Sequence, residues 1–266
     1  MIKKNIAVLI PTYKPGSYIH SCLQSLEKQT LTKESYKVYI ALNGPKENFE
    51  EIVQSALEDT NFDYEFFYLE KAGVSNARNH LIDNSTEPFV TFVDDDDCIS
   101  PTYLESLLSV SSIDTIGISN VYNFEQDIGE RKPNYIGQAF LKLPDVEKSK
   151  LKSRQYYSSP CAKLIHRNII GTTRFNTKLA IGEDALFMAE LSCRVEAVRK
   201  TTETACYYVF EREGSATRQE IDKLKELQRI IYLLKQYGKM LLNFRYDSLF
   251  ITTRIMATIL HLKRLV

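Results

Sequence analysis

Short apolar runs alternate with helically spaced apolar residues through about the first 110 positions of the chain. Each run is five or six residues long, which is typical of a buried strand, and turn residues such as the "NGP" after the second run separate the elements. The runs predict four strands, at Ile6–Ile10, Val38–Leu42, Tyr64–Leu69 and Phe89–Val93. The helical spacings predict four helices, at residues 19–26, Phe49–Leu57, Gly73–Ile82 and Tyr103–Leu108.

This alternation of strands and helices predicts an α/β fold with a doubly wound, mostly parallel sheet. The strands are almost continuously apolar, which fits burial on both faces of such a sheet. Ligands of doubly wound sheets bind beyond the carboxyl ends of the strands. The four segments that follow the strands are therefore expected to meet at one edge of the sheet. They are Pro11–Tyr13, Asn43–Gly44, Lys71–Gly73 and Asp94–Asp97.

The second half of the chain has a less regular pattern. Residues 114–157 are polar and irregular, and they predict no defined element. Gly182–Leu191 predicts a helix that begins with two acids, where the helix dipole stabilises negative charge. Arg218–Leu241 carries apolar residues at the spacing of an amphipathic helix. We therefore predict a main domain over residues 1–217 and a C-terminal helical extension over residues 218–266.

The composition argues against several classes of protein. Lys plus Arg and Asp plus Glu are equal at 34 each, so no net charge draws the whole chain to nucleic acid. The five cysteines form no C-x-x-C pair, which favours reduced thiols in a cytoplasmic protein over disulfides or a zinc site. The apolar run that ends at Pro11 is too short for a signal peptide or a membrane span.

Four consecutive carboxylates follow the fourth predicted strand, in the stretch "FVTFVDDDDCISP" at residues 89–101. Adjacent negative charges repel one another, and a divalent cation would offset them. Mg²⁺ and Mn²⁺ prefer oxygen ligands, and Mg²⁺ often takes one or two protein carboxylates together with substrate phosphates. Asp94 and Asp96 point the same way if extended geometry persists. The stretch predicts a metal site, and a solvated acidic turn that caps the next helix is the alternative.

Four segments, in this order, resemble the inverting family-2 glycosyltransferases of the GT-A fold. They read "AVLIPTYKPGSYIHSCLQSLEKQT", "KAGVSNARNHLID", "FVTFVDDDDCISPTYLESLL" and "IGEDALFMAEL", and the resemblance covers residues from about 5 to about 215. It implies transfer of a sugar from a nucleoside-diphosphate donor to a hydroxyl with a bound Mn²⁺ or Mg²⁺. It further implies the bacterial surface-polysaccharide type of this family, such as capsule, O-antigen or exopolysaccharide enzymes.

The resemblance assigns roles to the acid run, which is similar to the family's Asp-x-Asp motif. Asp96 is expected to be the main metal ligand. Asp94 is expected to contact the metal or the nucleotide ribose. Asp95 is expected to bind the donor, and Asp97 is expected to cap or support the loop.

The resemblance also implies that the loops after the first two strands bind the nucleobase. Pro11, Thr12 and Tyr13 would cradle the base, with Tyr13 stacking on it. Asn43 stands where many relatives carry an Asp that hydrogen-bonds the base, and its amide can both donate and accept. A plain turn is the alternative.

The stretch "KAGVSNARNH" contributes the remaining donor contacts that the resemblance implies. Gly73 permits a close approach of the backbone. Arg78 is expected near the base or the ribose, and Lys71 near the pyrophosphate. A surface helix with a solvated arginine is the alternative.

The stretch "IGEDALF" supplies the expected catalytic base. An inverting transfer needs one carboxylate that takes the proton of the attacking hydroxyl, and a metal that stabilises the leaving diphosphate. By resemblance Asp184 is this base, and Glu183 positions the acceptor or orients a neighbour. The alternative is a pair of acids that only interact with the helix dipole.

Two further matches to the family pattern are weaker. Relatives often place a basic residue or His in the segment "YYVFEREGSATR" at residues 207–218, and this chain offers Arg212 and Arg218 there, with Ser215 as a further phosphate candidate. Lys163 matches a lysine that is common just before the family's acceptor loop. The alternative for Lys163 is a strand residue whose ammonium group reaches the surface.

The sequence therefore predicts a metal-dependent inverting glycosyltransferase. Its donor would be a UDP-sugar, by family frequency, and its acceptor a growing saccharide carried on a lipid. One alternative is a nucleotidyltransferase that makes the sugar nucleotide, but such enzymes usually carry a Gly-rich loop where this chain has "PTYKPGS". A catalytically inactive sugar-nucleotide-binding subunit is the other alternative, against which the acids Asp94, Asp96 and Asp184 argue.

The C-terminal extension is both basic and apolar. Residues 218–266 carry ten Lys or Arg and four Asp or Glu, a net charge of +6. Arg254 interrupts the last apolar stretch, so this stretch is not a membrane span. It predicts peripheral attachment to the inner face of the cell membrane, and packing on the main domain or on a second copy, as a homodimer, is the alternative. As a helix it would present Ile255, Met256, Ile259 and Leu260 on one face, with Arg245, Lys263 and Arg264 near its ends.

Overall fold

The structure is a computed structural model that describes residues 5–211 and 222–264. The strands in this part of the chain are β1 Ile6–Thr12, β2 Tyr36–Asn43, β3 Tyr64–Leu69, β4 Phe89–Phe92, β5 Cys98–Ile99, β6 Thr115–Ile118, β7 Asn120–Phe124, β8 Lys132–Pro133, β9 Val146–Glu147, β10 Lys163–His166, β11 Ala197–Lys200 and β12 Cys206–Phe210. The α-helices are α1 Tyr18–Glu27, α2 Phe49–Glu58, α3 Val74–Asn84, α4 Tyr103–Val110, α5 Tyr135–Lys142, α6 Arg167–Ile170, α7 Glu183–Leu191, α8 Lys223–Leu241 and α9 Ser248–Leu260.

The main sheet has eight strands in the order β3-β2-β1-β4-β10-β6-β11-β9. The first four strands of this order are parallel to one another, and β1 lies between β2 and β4. Strand β10 runs antiparallel to both of its neighbours, β4 and β6. A smaller sheet has the order β5-β12-β7-β8. The predicted α/β fold with a mostly parallel sheet is therefore confirmed, and the antiparallel β10 joins its two halves.

The central strands are apolar because the sheet is covered on both faces. Every residue of β1 is buried, and β2 is buried except for Lys37. Helix α3 packs against β1 and β2 with a face that includes Ala77, Leu81 and Ile82. The strand β3 is at the sheet's edge and is only partly buried. Burial on both faces explains why these strands show continuous apolar runs rather than alternation.

The segment 114–157, which predicts no element from its sequence, contains β6, β7, β8, α5 and β9. These strands are two to five residues long, which is too short for a period in hydrophobicity to emerge. Helix α5 docks closely on β7, because a Cβ atom added at Gly137 would lie 2.1 Å from the carbonyl oxygen of Val121. Tertiary pairing, rather than local sequence pattern, determines this half of the fold.

Helices α8 and α9 pack on the rest of the protein with one face each. The buried residues of α8 include Ile230, Leu233 and Tyr237, and the ring of Phe250 in α9 lies 5.0 Å from that of Tyr157, centroid to centroid. Helix α8 begins at Lys223 because the Asp222 carboxylate accepts hydrogen bonds from the backbone N–H groups of the first turn. The predicted domain boundary at 217/218 lies outside the described residues. Across residues 5–211 and 222–264, every helix is too short or too polar to cross a bilayer.

Candidate active site

An open cleft of about 760 Å³ lies beyond the carboxyl ends of β1, β2 and β4. The segments that follow these strands meet there, as the sequence predicts. Lys71 does not line the cleft but lies on the exposed turn before α3, so its contact with a pyrophosphate stays a prediction. The predicted site residues that line the cleft are Pro11, Thr12, Tyr13, Asn43, Gly73, Arg78, Asp94, Asp95, Asp96, Glu183 and Asp184.

The four consecutive acids divide into two pairs with different surroundings. Asp94 and Asp96 are half-buried, whereas Asp95 and Asp97 are buried. The Asp95 carboxylate accepts a hydrogen bond from the Thr12 hydroxyl, and the Asp97 carboxylate accepts one from the backbone N–H of Phe210 at 2.9 Å. Burial, together with the charges of Asp94 and Asp96, raises the pKa of Asp97 well above its usual range. Asp95 and Asp97 therefore fix the loop, while Asp94 and Asp96 are accessible from the cleft.

Arg78 connects the acid run to the acids of α7. Its side chain is 4% exposed, and its guanidinium donates to Asp94 Oδ1 at 2.9 Å and to Asp184 Oδ1 at 2.5 Å. Glu183 Oε1 is 3.9 Å away. Burial lowers the pKa of Arg78, but the charges of Asp184 and Asp94 outweigh this effect and leave the pKa raised. Because its guanidinium is bound to carboxylates, Arg78 bridges two parts of the site, and its predicted contact with the base or ribose stays a prediction.

Glu183 and Asp184 are presented by the first turn of α7. Gly182 precedes this turn with φ 85°, a left-handed conformation that favours glycine. The Asp184 side chain is 25% exposed and that of Glu183 is 9% exposed. Burial raises the pKa of Asp184, with the Arg78 charge acting in the opposite direction. Burial and the Asp184 charge raise the pKa of Glu183 to about 7. Asp184 is therefore the more accessible of the two acids.

The loops expected to bind the nucleobase are held together by Asn43. Its amide donates to the carbonyl oxygen of Thr12 at 2.7 Å and accepts from the backbone N–H of Gly73 at 2.8 Å. An amide nitrogen has a second hydrogen and an amide oxygen a second lone pair, so Asn43 can still bind a base edge. Tyr13 is 50% exposed at the cleft mouth, and its ring lies against Gly44, where an added Cβ would be 2.7 Å from the ring.

Several residues that line the cleft or contact its acids have no signal in the sequence. The Cys161 thiol donates to Asp94 Oδ2 at 3.6 Å, and the hydroxyl of Tyr207 accepts from the Asp94 backbone N–H at 3.1 Å. Ser158 and Phe210 also line the cleft. These residues belong to short elements whose pairing is not visible in the local pattern. Arg212, Ser215 and Arg218, expected near the diphosphate, lie outside the described residues.

Lys163 is fully buried, so the alternative of a strand residue whose ammonium group reaches the surface is wrong. The ammonium donates to the carbonyl oxygens of Ser159 and Cys161, the latter at 2.8 Å. Burial lowers the pKa of Lys163 to about 7. Lys163 therefore supports the loop that carries Ser158 to the cleft and Cys161 to Asp94, and a role towards an acceptor stays a prediction.

Asp94 and Asp96 fit a divalent cation that is shared with a ligand. Within the described ranges, no group of three or more His, Cys, Asp and Glu side chains is arranged to hold a metal ion. Two half-buried carboxylates beside an open cleft suit Mg²⁺ or Mn²⁺ when phosphate oxygens and water complete the coordination shell. The donor set is therefore suitable for a metal that arrives with a diphosphate.

The fold and the cleft together define an α/β domain of the GT-A type, in which acids at the strand ends line the cleft. The family model described as "Glycosyl transferase family 2" matches residues 7–172. The chain therefore belongs to glycosyltransferase family 2.

Curated relatives of the chain include bacterial glycosyltransferases. It is 24% identical to GlyG of Streptococcus pneumoniae over 229 residues, which is 82% of this chain and 74% of GlyG. It is 29% identical to GlyA of the same species over 53% of this chain, but over only 20% of GlyA. It is 24% identical to TarS of Staphylococcus aureus, a poly(ribitol-phosphate) beta-N-acetylglucosaminyltransferase, over 78% of this chain and 36% of TarS. The chain thus spans a small part of some of these relatives.

Solved structures share the fold. TarS 1–349 of S. aureus in complex with UDP-GlcNAc superposes with a TM-score of 0.77 at 20% identity, over 97% of this chain and 73% of that chain. The mannosyltransferase PcManGT of Pyrobaculum calidifontis in complex with GDP-Man and Mn²⁺ gives a TM-score of 0.63 at 10% identity, over 98% of this chain and 70% of that chain. At these identities the similarity extends to the fold alone.

Replacing Arg78 by Met should destabilise the protein, because Asp94 and Asp184 would lose their shared counterion. We expect a loss of about 3 kcal/mol in the free energy of unfolding, as for other broken buried pairs. Adding Asp184→Asn should restore part of this loss, since it removes one uncompensated charge. Urea unfolding of the two single variants and the double variant measures this coupling.

The control is Lys132→Met, because Lys132 pairs with Glu125 at the exposed surface, 3.3 Å apart. Such pairs contribute less than about 1 kcal/mol. Additive effects of Arg78→Met and Asp184→Asn would contradict the bridging role of Arg78.

Replacing Glu183 by Gln should change how stability depends on pH. The pKa of Glu183 is raised from 4.5 to about 7 in the folded protein, so the stabilising effect of its proton is complete below pH 4.5 and is lost as the pH rises through 7. Gln resembles the protonated acid and does not titrate. We expect the wild type to lose stability relative to Glu183→Gln between these two pH values, in urea unfolding at a series of pH values. The exposed Glu51→Gln serves as control, and parallel curves for wild type and Glu183→Gln would refute the raised pKa.

Proposed function

We propose that this glycosyltransferase moves a sugar from a UDP-sugar to a hydroxyl of a saccharide acceptor, with inversion at the anomeric carbon. The observation that carries the proposal is the Arg78 bridge, which holds Asp94 of the acid run and Asp184 of α7 on one guanidinium within the same cleft. A donor held at the acid run would therefore lie beside the carboxylate expected to act as base. The complex of the structurally similar TarS with UDP-GlcNAc supports a UDP-sugar donor.

The donor would occupy the cleft from the β1 end to the acid run. Tyr13, half-exposed over Gly44, offers a ring on which a base can stack, and Asn43 offers one further donor and acceptor. Thr12 and Asp95 bind one another, so their contribution is to shape the loop. Asp94 and Asp96 would hold Mg²⁺ or Mn²⁺, which supplies positive charge to the leaving diphosphate. The diphosphate thus belongs at the acid run and the sugar towards α7.

The chemistry assigned to Asp184 is proton transfer. The oxygen of the acceptor hydroxyl forms a bond to the anomeric carbon, while the bond from that carbon to the diphosphate oxygen breaks. The proton of the hydroxyl passes to Asp184, whose raised pKa suits a base better than that of a fully solvated aspartate. Arg78 orients this carboxylate by holding Oδ1. Glu183 is less exposed and has a pKa of about 7, so its role is to support the site rather than to meet the acceptor.

The acceptor is proposed to be a growing surface polysaccharide on a lipid carrier, at the cytoplasmic face of the membrane. Support comes from relatives such as GgaB of Bacillus subtilis, a minor teichoic acid biosynthesis protein, which is 22% identical over 81% of this chain and 24% of GgaB. The family match argues against the nucleotidyltransferase alternative. An inactive sugar-nucleotide-binding subunit stays an alternative, which release of UDP in the presence of a saccharide primer would exclude.

Replacing Asp184 by Asn should abolish transfer while leaving donor binding intact. Asn keeps the shape of the side chain but cannot take the proton, so kcat should fall about 10²–10⁴-fold. Release of UDP with a saccharide primer measures kcat, and calorimetry with the UDP-sugar measures affinity. Glu183→Gln is the matched variant, and a larger loss of kcat there than in Asp184→Asn would transfer the role of base to Glu183.

Replacing Asp96 by Ala should remove the metal dependence of donor binding. The wild type should bind a UDP-sugar more tightly with Mn²⁺ than after chelation with EDTA, because the cation offsets the charges of both diphosphate and cleft. Calorimetry with and without Mn²⁺ measures this difference for Asp96→Ala and for the exposed control Asp59→Ala. Equal enhancement by Mn²⁺ in the wild type and Asp96→Ala would exclude Asp96 as a metal ligand.

A further inference from the structure

Helix α8 has a buried apolar face and, on its opposite side, an exposed apolar stripe. The buried side chains recur at 226, 230, 233, 237 and 240, which is the period of one helix face. On the other side, Leu224 is 66% exposed, Leu227 39% and Ile231 58%. Leu242, just past the end of the helix, continues this stripe and is 85% exposed. Packing on the protein therefore leaves several large apolar side chains of α8 in contact with solvent.

Helix α9 repeats this arrangement. Its buried residues include Phe250 and Ile251, whereas Leu249, Met256 and Leu260 are 67%, 60% and 56% exposed. Ile255, which the sequence places on the same face as Met256, is instead partly buried against the core. Phe244, in the turn between α8 and α9, is fully exposed. We call the exposed apolar side chains of α8, the turn and α9 the hairpin surface: Leu224, Leu227, Ile231, Leu242, Phe244, Leu249, Met256 and Leu260.

The charges around the hairpin surface are predominantly positive. From residue 222 to residue 247 the sequence contains six Lys or Arg and three acids, of which Asp222 and Asp247 are exposed and cap the starts of α8 and α9. The third acid, Glu226, is buried and accepts two hydrogen bonds from Arg229, at 2.7 and 2.5 Å. The exposed basic residues of the same segment are Lys223, Lys225, Lys235, Lys239 and Arg245. The surface that faces away from the catalytic body is therefore apolar and cationic.

We propose that the hairpin surface docks on an anionic lipid bilayer. Exposed leucines and a phenylalanine can enter the boundary between headgroups and acyl chains, while lysines beside them pair with lipid phosphates. A protein partner for this surface would need a face that is both apolar and acidic and that matches its shape. An anionic membrane is apolar and negatively charged along its whole surface. The excess of exposed basic side chains over the two exposed acids in residues 222–247 favours the membrane, because anionic headgroups attract a cationic surface.

The hairpin surface and the acids of α7 lie on opposite sides of α8. A Cβ atom added at Gly182, just before the two acids of α7, would lie 3.2 Å from Arg229 and from Leu233 of α8. One side of α8 thus supports the acid loop and the other side carries the docking surface. The inference deepens the proposed function, since a docked enzyme would keep its cleft at a fixed distance from a lipid-carried acceptor. Docking itself does not depend on that function.

The test is binding of the full chain to phospholipid vesicles in flotation gradients. We expect flotation with vesicles that contain phosphatidylglycerol at low salt, weaker flotation at high salt and little with phosphatidylcholine alone. Leu242→Ser combined with Phe244→Ser, and Lys235→Glu combined with Lys239→Glu, should each weaken binding about tenfold or more. These residues are exposed, so folding should be preserved, and unfolding curves verify this.

Matched controls change the same residue types elsewhere on the surface. Ile113→Ser with Leu141→Ser, and Lys142→Glu with Lys178→Glu, alter exposed side chains outside the hairpin surface and should leave flotation unchanged. Calorimetry with a UDP-sugar, run in parallel on the hairpin variants, tests the proposed function separately, and it should give wild-type affinity.

Three outcomes would overturn the inference. The first is a wild type that stays at the bottom of the gradient with anionic vesicles at low salt. The second is flotation of the hairpin variants to the same extent as the wild type. Alternatively, light scattering would reveal a dimer that Leu242→Ser with Phe244→Ser converts to monomer, without any flotation. That last result would assign the hairpin surface to a second copy of the chain.

Discussion

The site depends on the two ion pairs that the guanidinium of Arg78 forms, one with Asp94 and one with Asp184. Without this guanidinium, the partly buried carboxylates of Asp94 and Asp184 would repel one another, and the cost of desolvating each of them would not be offset. The position of Arg78 depends in turn on the start of α3. The Asn43 amide fixes that start by accepting from the Gly73 N–H while donating to the end of β1. A chain of hydrogen bonds therefore runs from the first two strands, through α3, to the acids of α7.

The charge balance of the cleft explains why a cation is expected together with a diphosphate. Asp94, Asp96, Glu183 and Asp184 line it, and Arg78 is already committed to two of them. A diphosphate that entered this cleft would meet negative charge close to the acid run. A divalent ion shared between phosphate oxygens and the half-buried acids would offset that repulsion. On the opposite side, burial raises the pKa of Asp184 and the Arg78 charge lowers it, while the hydrogen bond from Arg78 to Oδ1 orients the carboxylate.

The sequence predicts those parts of the molecule whose signal is local. Strands β1 and β2 are long, apolar and buried on both faces, and the acid run marks the end of β4, so the position of the cleft follows from the pattern alone. The partners of Arg78 do not follow, because Asp184 is 106 positions away in the chain. Cys161 and Tyr207 escape prediction for the same reason, since short strands reach the site only through pairing with distant strands. Periodicity likewise detects the amphipathic character of α8 but not which of its apolar residues are covered.

The C-terminal helices complete the catalytic body. Arg229 and Leu233 of α8 lie against Gly182, and Asn176, in the loop before Gly182, donates to the hydroxyl of Tyr232 at 2.7 Å. Arg229 is held by Glu226 and by His261, which follows α9, at 2.9 Å. Residues of α8 that are far away in sequence therefore pack against the left-handed turn that presents Glu183 and Asp184. The geometry of the two acids therefore depends on residues on both sides of the predicted boundary near residue 217.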